Sequence, residues 1–351
     1  MICSVAMAKF TKIPALLLLL PLLASCGGGG GQVFAPVATP GAANQNPILD
    51  TYTLRSDVSG VHDPSIMRQD SSWYVYSTDF SNPGGHLPVR CSADRQIWTL
   101  CGFVFADIPP WVLVKAPGIH DLWAPEPSFF GGKYHLYYVG SIFGTNQSVI
   151  GVASNSTLDP RSPSYRWVDD GEVIESNPSL DYNTIDPSIL VDTDGGVWLT
   201  FGSYWTGIKQ IRIDAATGKP ADGTLYALAA HPGNNAIEAP SLVHHGAFYY
   251  LFVSYDFCCK GASSTYRIMV GRSASVHGPF VDMNGNPMMQ GGATQLLAGD
   301  GQWAGPGGQT VYLDPVQGDT IVFHAYATSN GLAWLHLNHL SWSGDWPRIE
   351  L

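Results

Sequence analysis

The chain has 351 residues, a formal net charge of −11 and only 13% charged residues, and it is rich in Gly, Trp and Tyr. The negative charge argues against nucleic acid as a partner, because domains that bind DNA or RNA carry basic surfaces. A composition rich in glycine and aromatic residues is typical of short strands joined by tight turns, so we predict an all-β protein.

The first 25 residues have the pattern of an export signal. Two lysines precede the apolar segment IPALLLLLPLLA, which is too short to cross a bilayer comfortably. LASC, ending at Cys26, resembles a bacterial lipobox, although an ordinary signal peptide with an incidental cysteine is the alternative. Residues 26–50 are rich in Gly and Pro, as in a flexible tether. We expect an exported lipoprotein, anchored by lipid on Cys26 at the cell surface or in the periplasm.

The rest of the chain repeats one pattern, in which a carboxylic acid stands close to Pro-Ser at the start of an apolar strand. HDPSIM, APEPSFF, TIDPSIL and IEAPSLV place Asp63, Glu126, Asp186 and Glu238 at successive spacings of 63, 60 and 52 residues. A polar turn and an aromatic strand follow each acid, as in a β-hairpin. A fifth unit, GPGGQTVYLDPVQGDTIVFHAYA, keeps the hairpin but has no acid.

Each unit also contains further strands, such as SVIGVASN, GIKQIRID, YRIMVGRS and LAWLHLNHL. Five units of this size, each with enough strands for a four-stranded sheet, predict a five-bladed β-propeller over residues 51–351. No helical period of useful length follows the leader. Because the innermost strands of a propeller line its axis, we expect all four acids to converge at one mouth of the central channel.

Carboxylates held close together have a few possible uses. They can bind calcium, cap backbone amides, or hydrolyse a glycosidic bond, which needs one protonated and one ionised carboxyl group. Aromatic residues close to the acids favour a sugar cleft. Trp123 precedes Glu126 by three residues, and Phe143 and Tyr204 follow the second strands of their units. Core packing is the alternative role for any one of these rings.

Seven motifs in this order carry a resemblance to a known family: VHDPSI, DLWAPE, IGVASN, NTIDPSI, FGSYWTGI, IEAPSL and STYRIMVGRS. Over about residues 55–350 the sequence resembles the family 43 glycoside hydrolases, and within them the endo-1,5-α-L-arabinanases. The resemblance implies a five-bladed propeller, with Asp63 as general base and Glu238 as general acid. Asp186 would be an unreacting carboxylate that tunes the acid and holds the sugar. The positions that match substrate contacts are Asn183, Gly144 and Ser203.

Two positions depart from the family pattern. Glu126 stands where the family usually has Asp in WAPD, and we expect it to satisfy backbone donors rather than to react. In FHAYA, His324 matches a histidine that helps to hold a metal ion, often Ca²⁺, largely through waters near the axis. The family often has YHAYD, so Phe323 and Ala327 differ. The alternative for a lone histidine is a satisfied polar group in the core.

The resemblance implies an inverting endo-arabinanase acting on arabinan or arabino-oligosaccharides, and we expect a monomer. An exo-acting arabinofuranosidase or β-xylosidase on the same fold is one alternative. A non-catalytic surface glycan-binding lipoprotein is another, although binding alone does not need a proton donor. The end of the chain directly after the fifth unit favours an open cleft and internal cuts. For inversion, the Asp63 and Glu238 carboxyl groups are expected to lie about 6.5–9.5 Å apart.

Four cysteines follow the leader region. Cys91 and Cys101 flank a predicted hairpin, and an exported protein could join them in a disulfide. Cys258 and Cys259 are adjacent, and either a bond between them or two free thiols is possible. Export favours the bond. No CxxC pair is present in the sequence, which argues against a structural zinc site.

Overall fold

The computed structural model describes residues 54–80 and 84–350 and contains five sheets, each formed from one contiguous stretch of chain. The innermost strands of neighbouring sheets contact one another in a closed ring, from the first sheet to the fifth and back to the first. The sheets are therefore the blades of a five-bladed β-propeller, and the predicted fold is confirmed.

The strands follow one another from the axis outwards in each blade. Blade 1 contains β1 (Arg55–Ser56), β2 (Ser65–Gln69), β3 (Ser72–Tyr76), β4 (His86–Ser92) and β5 (Ile97–Phe105). Blade 2 contains β6 (Trp123–Phe130), β7 (Lys133–Ser141), β8 (Ser148–Asn155) and β9 (Val168–Ser176). Blade 3 contains β10 (Ser188–Val191), β11 (Val197–Phe201), β12 (Ile208–Asp214), β13 (Lys219–Pro220) and β14 (Tyr226–Ala229).

The last two blades have four strands each. Blade 4 contains β15 (Ile237–His245), β16 (Phe248–Tyr255), β17 (Arg267–Ser273) and β18 (Thr294–Ala298). Blade 5 contains β19 (Trp303–Tyr312), β20 (Thr320–Ala327), β21 (Ala333–Ser343) and β22 (Trp346–Ile349). Strand β1 is the exception to the outward order, because it pairs in parallel with β5 at the outer edge of blade 1.

Within residues 54–80 and 84–350, helical structure is limited to short pieces between strands. Helix α1 (Pro110–Lys115) joins blades 1 and 2, and 3₁₀ turns occur at Gly261–Ser263 and Met288–Gln290. Helix α1 was not predicted, because six residues are too few to show a helical period. No helix among the described residues is long and apolar enough to cross a membrane. The predicted signal peptide, Cys26 and the tether lie outside the described residues.

The hydrophobic core lies between the blades rather than inside one central cluster. Five larger groups of buried side chains each join two neighbouring blades, including the pair formed by blades 5 and 1. Tyr76 of blade 1 and Tyr138 of blade 2 share one group, and Val75 and Leu337 join blade 1 to blade 5. Burial of both faces explains why the strands are apolar on alternate and often on successive residues.

Backbone hydrogen bonds close the ring, and no described strand is exchanged between blades. Gly60 N–H donates to the Ala333 carbonyl at 2.8 Å, and Leu335 N–H donates to the Val58 carbonyl at 2.8 Å. An ion pair between Arg68 and Asp314, at 3.1 Å, adds a contact between blades 1 and 5. The chain before β2 therefore fixes the last blade against the first.

Two disulfides are present among the described residues. Cys91–Cys101 joins β4 to β5, with the two Cα atoms 5.9 Å apart, and confirms the expected bridge in the hairpin. Cys258 and Cys259 also form a disulfide, with Cα atoms 3.8 Å apart, in the loop between β16 and β17.

Candidate active site

Within two or three residues of the start of each blade's first strand stands a residue that precedes a proline and has a positive φ angle. These residues are Asp63 (47°), Ala124 (43°), Asp186 (58°), Ala239 (50°) and Gly305 (57°). The strand pairing shifts register here in β6, β15 and β19, and bulges of this kind often re-aim side chains beside active sites. Asp63 and Asp186 are thus equivalent, and Glu238 lies one residue before the equivalent position.

Glu126 does not belong to this set, and the prediction that four acids converge at one mouth was wrong for it. Glu126 follows Ala124 by two residues, so it occupies the position that Ser65 holds in blade 1. Both residues begin a five-residue segment that ends at the hairpin turn. The resemblance between EPS and DPS in the sequence is therefore out of register by two residues.

The Glu126 side chain instead joins three blades below the mouth. Its Oε1 accepts a hydrogen bond from Ile189 N–H at 3.2 Å, and its Oε2 accepts one from Ser65 Oγ at 2.5 Å. This confirms that Glu126 satisfies a backbone donor. Burial raises the pKa of its carboxyl group to about 7. It lines a cavity of ≈ 340 Å³ on the side of the hairpin turns, which none of the other three acids lines, and it shares only a small cavity of ≈ 30 Å³ with Asp63 and Asp186.

The other three acids share a larger cavity of ≈ 660 Å³ at the opposite end of the axis. The six predicted sugar-contacting residues also line it: Trp123, Phe143, Gly144, Asn183, Ser203 and Tyr204. Phe143 is 79% exposed, and its ring meets Trp123 edge to face at 6.4 Å between centroids. An exposed aromatic pair beside buried carboxyl groups offers a surface for a sugar ring.

Asp63 is held by hydrogen bonds to blades 1 and 5 and, through Thr78, is linked to blade 2. Its Oδ2 accepts a hydrogen bond from Thr78 Oγ1 at 2.6 Å, and Thr78 Oγ1 in turn accepts one from Ala124 N–H at 2.9 Å. Its backbone N–H donates to His324 Nδ1 at 3.1 Å. Burial raises the pKa of Asp63, while the neighbouring His62 and the bond from Thr78 lower it. The side chain remains 31% exposed, so one carboxylate edge can reach a water in the cavity.

Glu238 is buried, with 8% of the residue exposed, and both of its carboxyl oxygens have partners. Ser203 Oγ donates to Oε2 at 2.6 Å, and Tyr266 Oη contacts Oε1. Burial raises the pKa of Glu238, the two hydrogen bonds lower it, and the negative charge of Asp63 raises it again. The predicted substrate residue Ser203 thus also contacts the acid directly.

Asp186 lies beside Glu238 across the boundary between blades 3 and 4. Its Oδ2 accepts a hydrogen bond from Ala239 N–H at 3.0 Å. Burial raises the pKa of Asp186, and the charges of Glu238 and Asp63 raise it further. Two neighbouring carboxyl groups disfavour a second negative charge, so the pair keeps one proton to a higher pH than an isolated carboxyl group would.

Three supporting residues had no predicted role. Thr78 was not singled out, and Tyr266 stood in a recognised motif, STYRIMVGRS, without a function. Gly308 has a φ of 59°, and a Cβ there would lie 2.6 Å from Asp63 Oδ1 and 2.8 Å from the His324 ring. The GPGG run is visible in the sequence as a possible signal for Gly308. Only the fold shows that Asp63 and His324 leave no room for a side chain at this position.

His324 is fully buried in β20, and its Nε2 has no hydrogen-bond partner within the protein. Burial lowers its pKa, so the ring is neutral. Because Nδ1 accepts the bond from Asp63, the ring proton lies on Nε2. The described residues contain no group of three or more His, Cys, Asp or Glu that could hold a metal. His324 therefore fits a cation held through water better than one bound directly.

A protonated carboxyl group beside an ionised one can cleave a glycosidic bond, and the exposed rings near them suit a sugar chain. The fold and the site together define a glycoside hydrolase. Comparison with known families agrees with this class. Residues 57–347 match the model of glycosyl hydrolases family 43, and the chain belongs to that family.

Individual relatives are similar over most of their length. An extracellular endo-α-(1→5)-L-arabinanase of Bacillus subtilis is 44% identical over 290 residues, which cover 82% of this chain and 87% of that protein. An extracellular exo-α-(1→5)-L-arabinofuranosidase of Cellvibrio japonicus is 39% identical, covering 83% and 86%. The solved endo-arabinanase of Bacillus licheniformis is 40% identical with a TM-score of 0.78, covering 85% of this chain and 99% of that one.

Proposed function

We propose that this protein is an inverting endo-1,5-α-L-arabinanase that cleaves internal α-1,5-L-arabinofuranosidic bonds in arabinan, a side chain of pectin. The observation that carries the proposal is a cavity with three acids at its base and with lining residues from several blades around them. Trp123 and Phe143 of blade 2 lie on one side, and Phe257 of blade 4 lies on another. A chain could therefore occupy the cleft on both sides of the bond that is cut. Two similar proteins are named as endo-arabinanases, which supports arabinan as the substrate.

In the proposed reaction, Asp63 removes a proton from a water while that water attacks the anomeric carbon. Glu238 simultaneously gives its proton to the leaving oxygen, so the sugar ends with the opposite configuration. Thr78 orients the base through its hydrogen bond to Oδ2, and Ser203 and Tyr266 orient the acid. Asp186 contributes a negative charge that favours the protonated form of Glu238.

The product profile over time tests the endo assignment. Linear arabinan should give a rapid fall in viscosity and a series of oligosaccharides before short products accumulate, and xylan should give none. An exo-acting arabinofuranosidase is the second candidate, favoured by the 39% identical relative from Cellvibrio japonicus. Release of one short product from the first minutes, with viscosity unchanged, would replace the endo assignment by the exo one. Binding to arabinan without any release of reducing sugar would support a glycan-binding protein instead.

The stereochemistry follows from the spacing of the base and the acid. Asp63 stands two residues before β2 and Glu238 lies in β15, and these two inner strands are separated by β19 on one side of the ring. We expect a separation of about 6.5–9.5 Å between their carboxyl groups, which leaves room for the attacking water. Proton NMR of the first product should show the β anomer. A first product with the α anomer would rule out inversion.

We also propose a cation, with Ca²⁺ as the first candidate, near the axis beside His324 and held largely by water. The buried Nε2, without a protein partner, supports a water at that position, and the three nearby acids favour a positive charge. Ca²⁺ prefers oxygen ligands, which waters would supply. Chelation should lower the melting temperature, and His324→Ala should lower it similarly and abolish the effect of the chelator. Equal melting curves with and without chelator would leave His324 with a packing role only.

Export and lipid anchoring complete the proposal. Two relatives named as extracellular support export. The lipobox at Cys26, followed by five glycines, supports attachment to a membrane through lipid. Cys26→Ala should move the protein from the membrane fraction to the soluble fraction. A variant that stayed bound like the wild type would exclude the anchor. Because the ring closes within one chain, we expect a monomer by sedimentation or light scattering.

A further inference from the structure

The Cys258–Cys259 disulfide lines the active-site cavity, although the proposed reaction does not use it. Both cysteines border the cavity of ≈ 660 Å³, together with the adjacent Phe257 and Lys260. Cys259 and Lys260 are exposed, and Cys258 and Phe257 are half-buried. The other disulfide, Cys91–Cys101, lies between β4 and β5 and does not line the cavity. The position of the adjacent pair therefore calls for a functional explanation.

The loop that carries the disulfide is fixed at its base and at its tip. Thr265 N–H donates to the Phe257 carbonyl at 2.8 Å, and Phe257 N–H donates to Thr265 Oγ1 at 3.3 Å. Cys259 N–H donates to Tyr326 Oη at 3.0 Å. The Tyr326 ring packs edge to face on His62, which also lines the cavity. A loop held in this way loses little conformational freedom when a ligand binds.

Backbone conformation supports a functional role for the loop. Cys259 has a φ of 64°, a left-handed conformation that residues other than Gly, Asn and Asp seldom adopt. Tyr204 (54°) and Trp205 (42°) share this feature and line the same cavity. Residues in sparsely populated conformations cluster at ligand-binding sites, where the surrounding structure holds them in place.

The chemistry of the surface suits one face of a sugar ring. Two adjoining sulfur atoms and their methylene groups form a compact, polarisable and apolar patch. Lys260 lies beside the patch, with its Nζ 4.4 Å from the centroid of the Phe257 ring, and provides three hydrogen-bond donors. An arabinofuranosyl unit has an apolar C–H face bordered by hydroxyl groups. The patch would contact the face, and the ammonium group would contact the hydroxyls.

We propose that the Cys258–Cys259 disulfide and Lys260 form a binding subsite for an arabinofuranosyl unit of the substrate. The subsite lies in blade 4, in the blade of Glu238, whereas Trp123 and Phe143 project from blade 2. It therefore holds a unit remote from the aromatic pair, so long chains gain a contact that short ones do not. The inference rests on the proposed arabinan substrate.

Kinetics of two matched double variants test the subsite. Cys258→Ser with Cys259→Ser removes the disulfide at the cleft, and Cys91→Ser with Cys101→Ser removes the one remote from it. The first variant should raise KM for linear arabinan about fivefold, equal to about 1 kcal/mol, with kcat within about twofold. Its KM for the shortest oligosaccharide that the wild type cleaves should not change. The second variant should keep both KM values and lose only thermal stability.

A third variant tests the subsite even if the serine variant does not fold. Lys260→Met keeps the disulfide and removes the donors at an exposed position, and it should raise KM for linear arabinan about threefold, or about 0.6 kcal/mol. A folded serine variant and a Lys260→Met variant that both keep the wild-type KM would overturn the subsite. An equal rise in KM for long and short substrates would also overturn it. Failure of the wild type to cleave arabinan at all would reject the proposed function and the subsite with it.

Discussion

Replacing Glu126 by Gln tests the interpretation of the fourth acid as a structural group. Glu126 as a whole residue is 7% exposed, and burial raises the pKa of its carboxyl group from the ordinary 4.5 to about 7. Gln has the shape of the protonated acid. Its carbonyl can accept the hydrogen bond from Ile189 N–H, and its amide can donate to Ser65 Oγ. The variant should therefore match the wild type in stability at low pH, where Glu126 is protonated in both states.

The two proteins should diverge as the pH rises. Between pH 4.5 and about 7 the unfolded wild type loses the Glu126 proton while the folded protein keeps it, so the free energy of unfolding falls. Above about pH 7 both states are ionised, and the difference stays constant. A difference of about 2.5 between the two pKa values corresponds to about 3 kcal/mol. Glu126→Gln should thus be more stable than the wild type by up to about 3 kcal/mol at pH 8.

Equilibrium unfolding in urea at several pH values measures this difference. Subtracting the wild-type curve from the variant curve cancels the titration of the other acids. Glu175→Gln is the matched control, because it removes the same charge from a side chain that is 43% exposed and paired with Lys115. It should change the free energy of unfolding by less than about 1 kcal/mol. A Glu126→Gln difference that is independent of pH would refute the raised pKa. Loss of arabinan cleavage in a stable Glu126→Gln variant would refute the structural role.

Further predictions concern the acids and their support. Asp63→Asn and Glu238→Gln should each lower kcat on arabinan about 10²–10⁴-fold, and only Glu238→Gln should recover partly on a substrate whose leaving group needs no proton. Recovery by both would contradict their separate roles. Asp186→Asn removes a negative charge beside Glu238, so the pKa of the acid should fall and the basic limb of kcat/KM should move to lower pH. A basic limb of kcat/KM at the same pH as in the wild type would contradict the electrostatic coupling of Asp186 to Glu238. Gly308→Ala should reduce activity more than tenfold, because its Cβ would collide with Asp63 Oδ1 at 2.6 Å. Gly344→Ala, at a similar φ of 57° with no atom within 4 Å, controls for backbone strain and should keep full activity.

Local sequence determined much of the fold. A repeat of hairpins, with glycine and aspartate in the turns and aromatic residues in the strands, is sufficient to predict five blades. Each blade is formed from one contiguous stretch, so its strands pair with near neighbours in the chain. The third strands SVIGVASN and YRIMVGRS are β8 and β17 with little change of boundary. Such local pairing is what periodicity can detect.

The candidate site was also largely predictable, because it is built from the repeated position. Asp63, Asp186 and Glu238 lie at the starts of inner strands, which a closed ring brings to one mouth. The residues that the family resemblance added also line the same cavity. Short helix α1 and the supporting Thr78 were missed, since neither repeats between blades.

Only the tertiary structure decided the place of Glu126. The letters EPS match DPS, but the bulge at the start of β6 makes Ala124 the equivalent of Asp63. A shift of two residues along the strand keeps the side chain on the same face and moves it along the axis, out of the cleft.

The tertiary structure likewise decided which residues, far away in the sequence, contact the acids. Thr78, Tyr266 and Gly308 meet Asp63 or Glu238 through contacts that span between 15 and 245 residues of chain (78 − 63 and 308 − 63). The same holds for Cys259, which is fixed by Tyr326 and thereby brought to the cleft. A sequence determines the strands through short-range pairing and turn geometry. The environment of each carboxyl group depends instead on which distant side chains the closed ring places within hydrogen-bond reach.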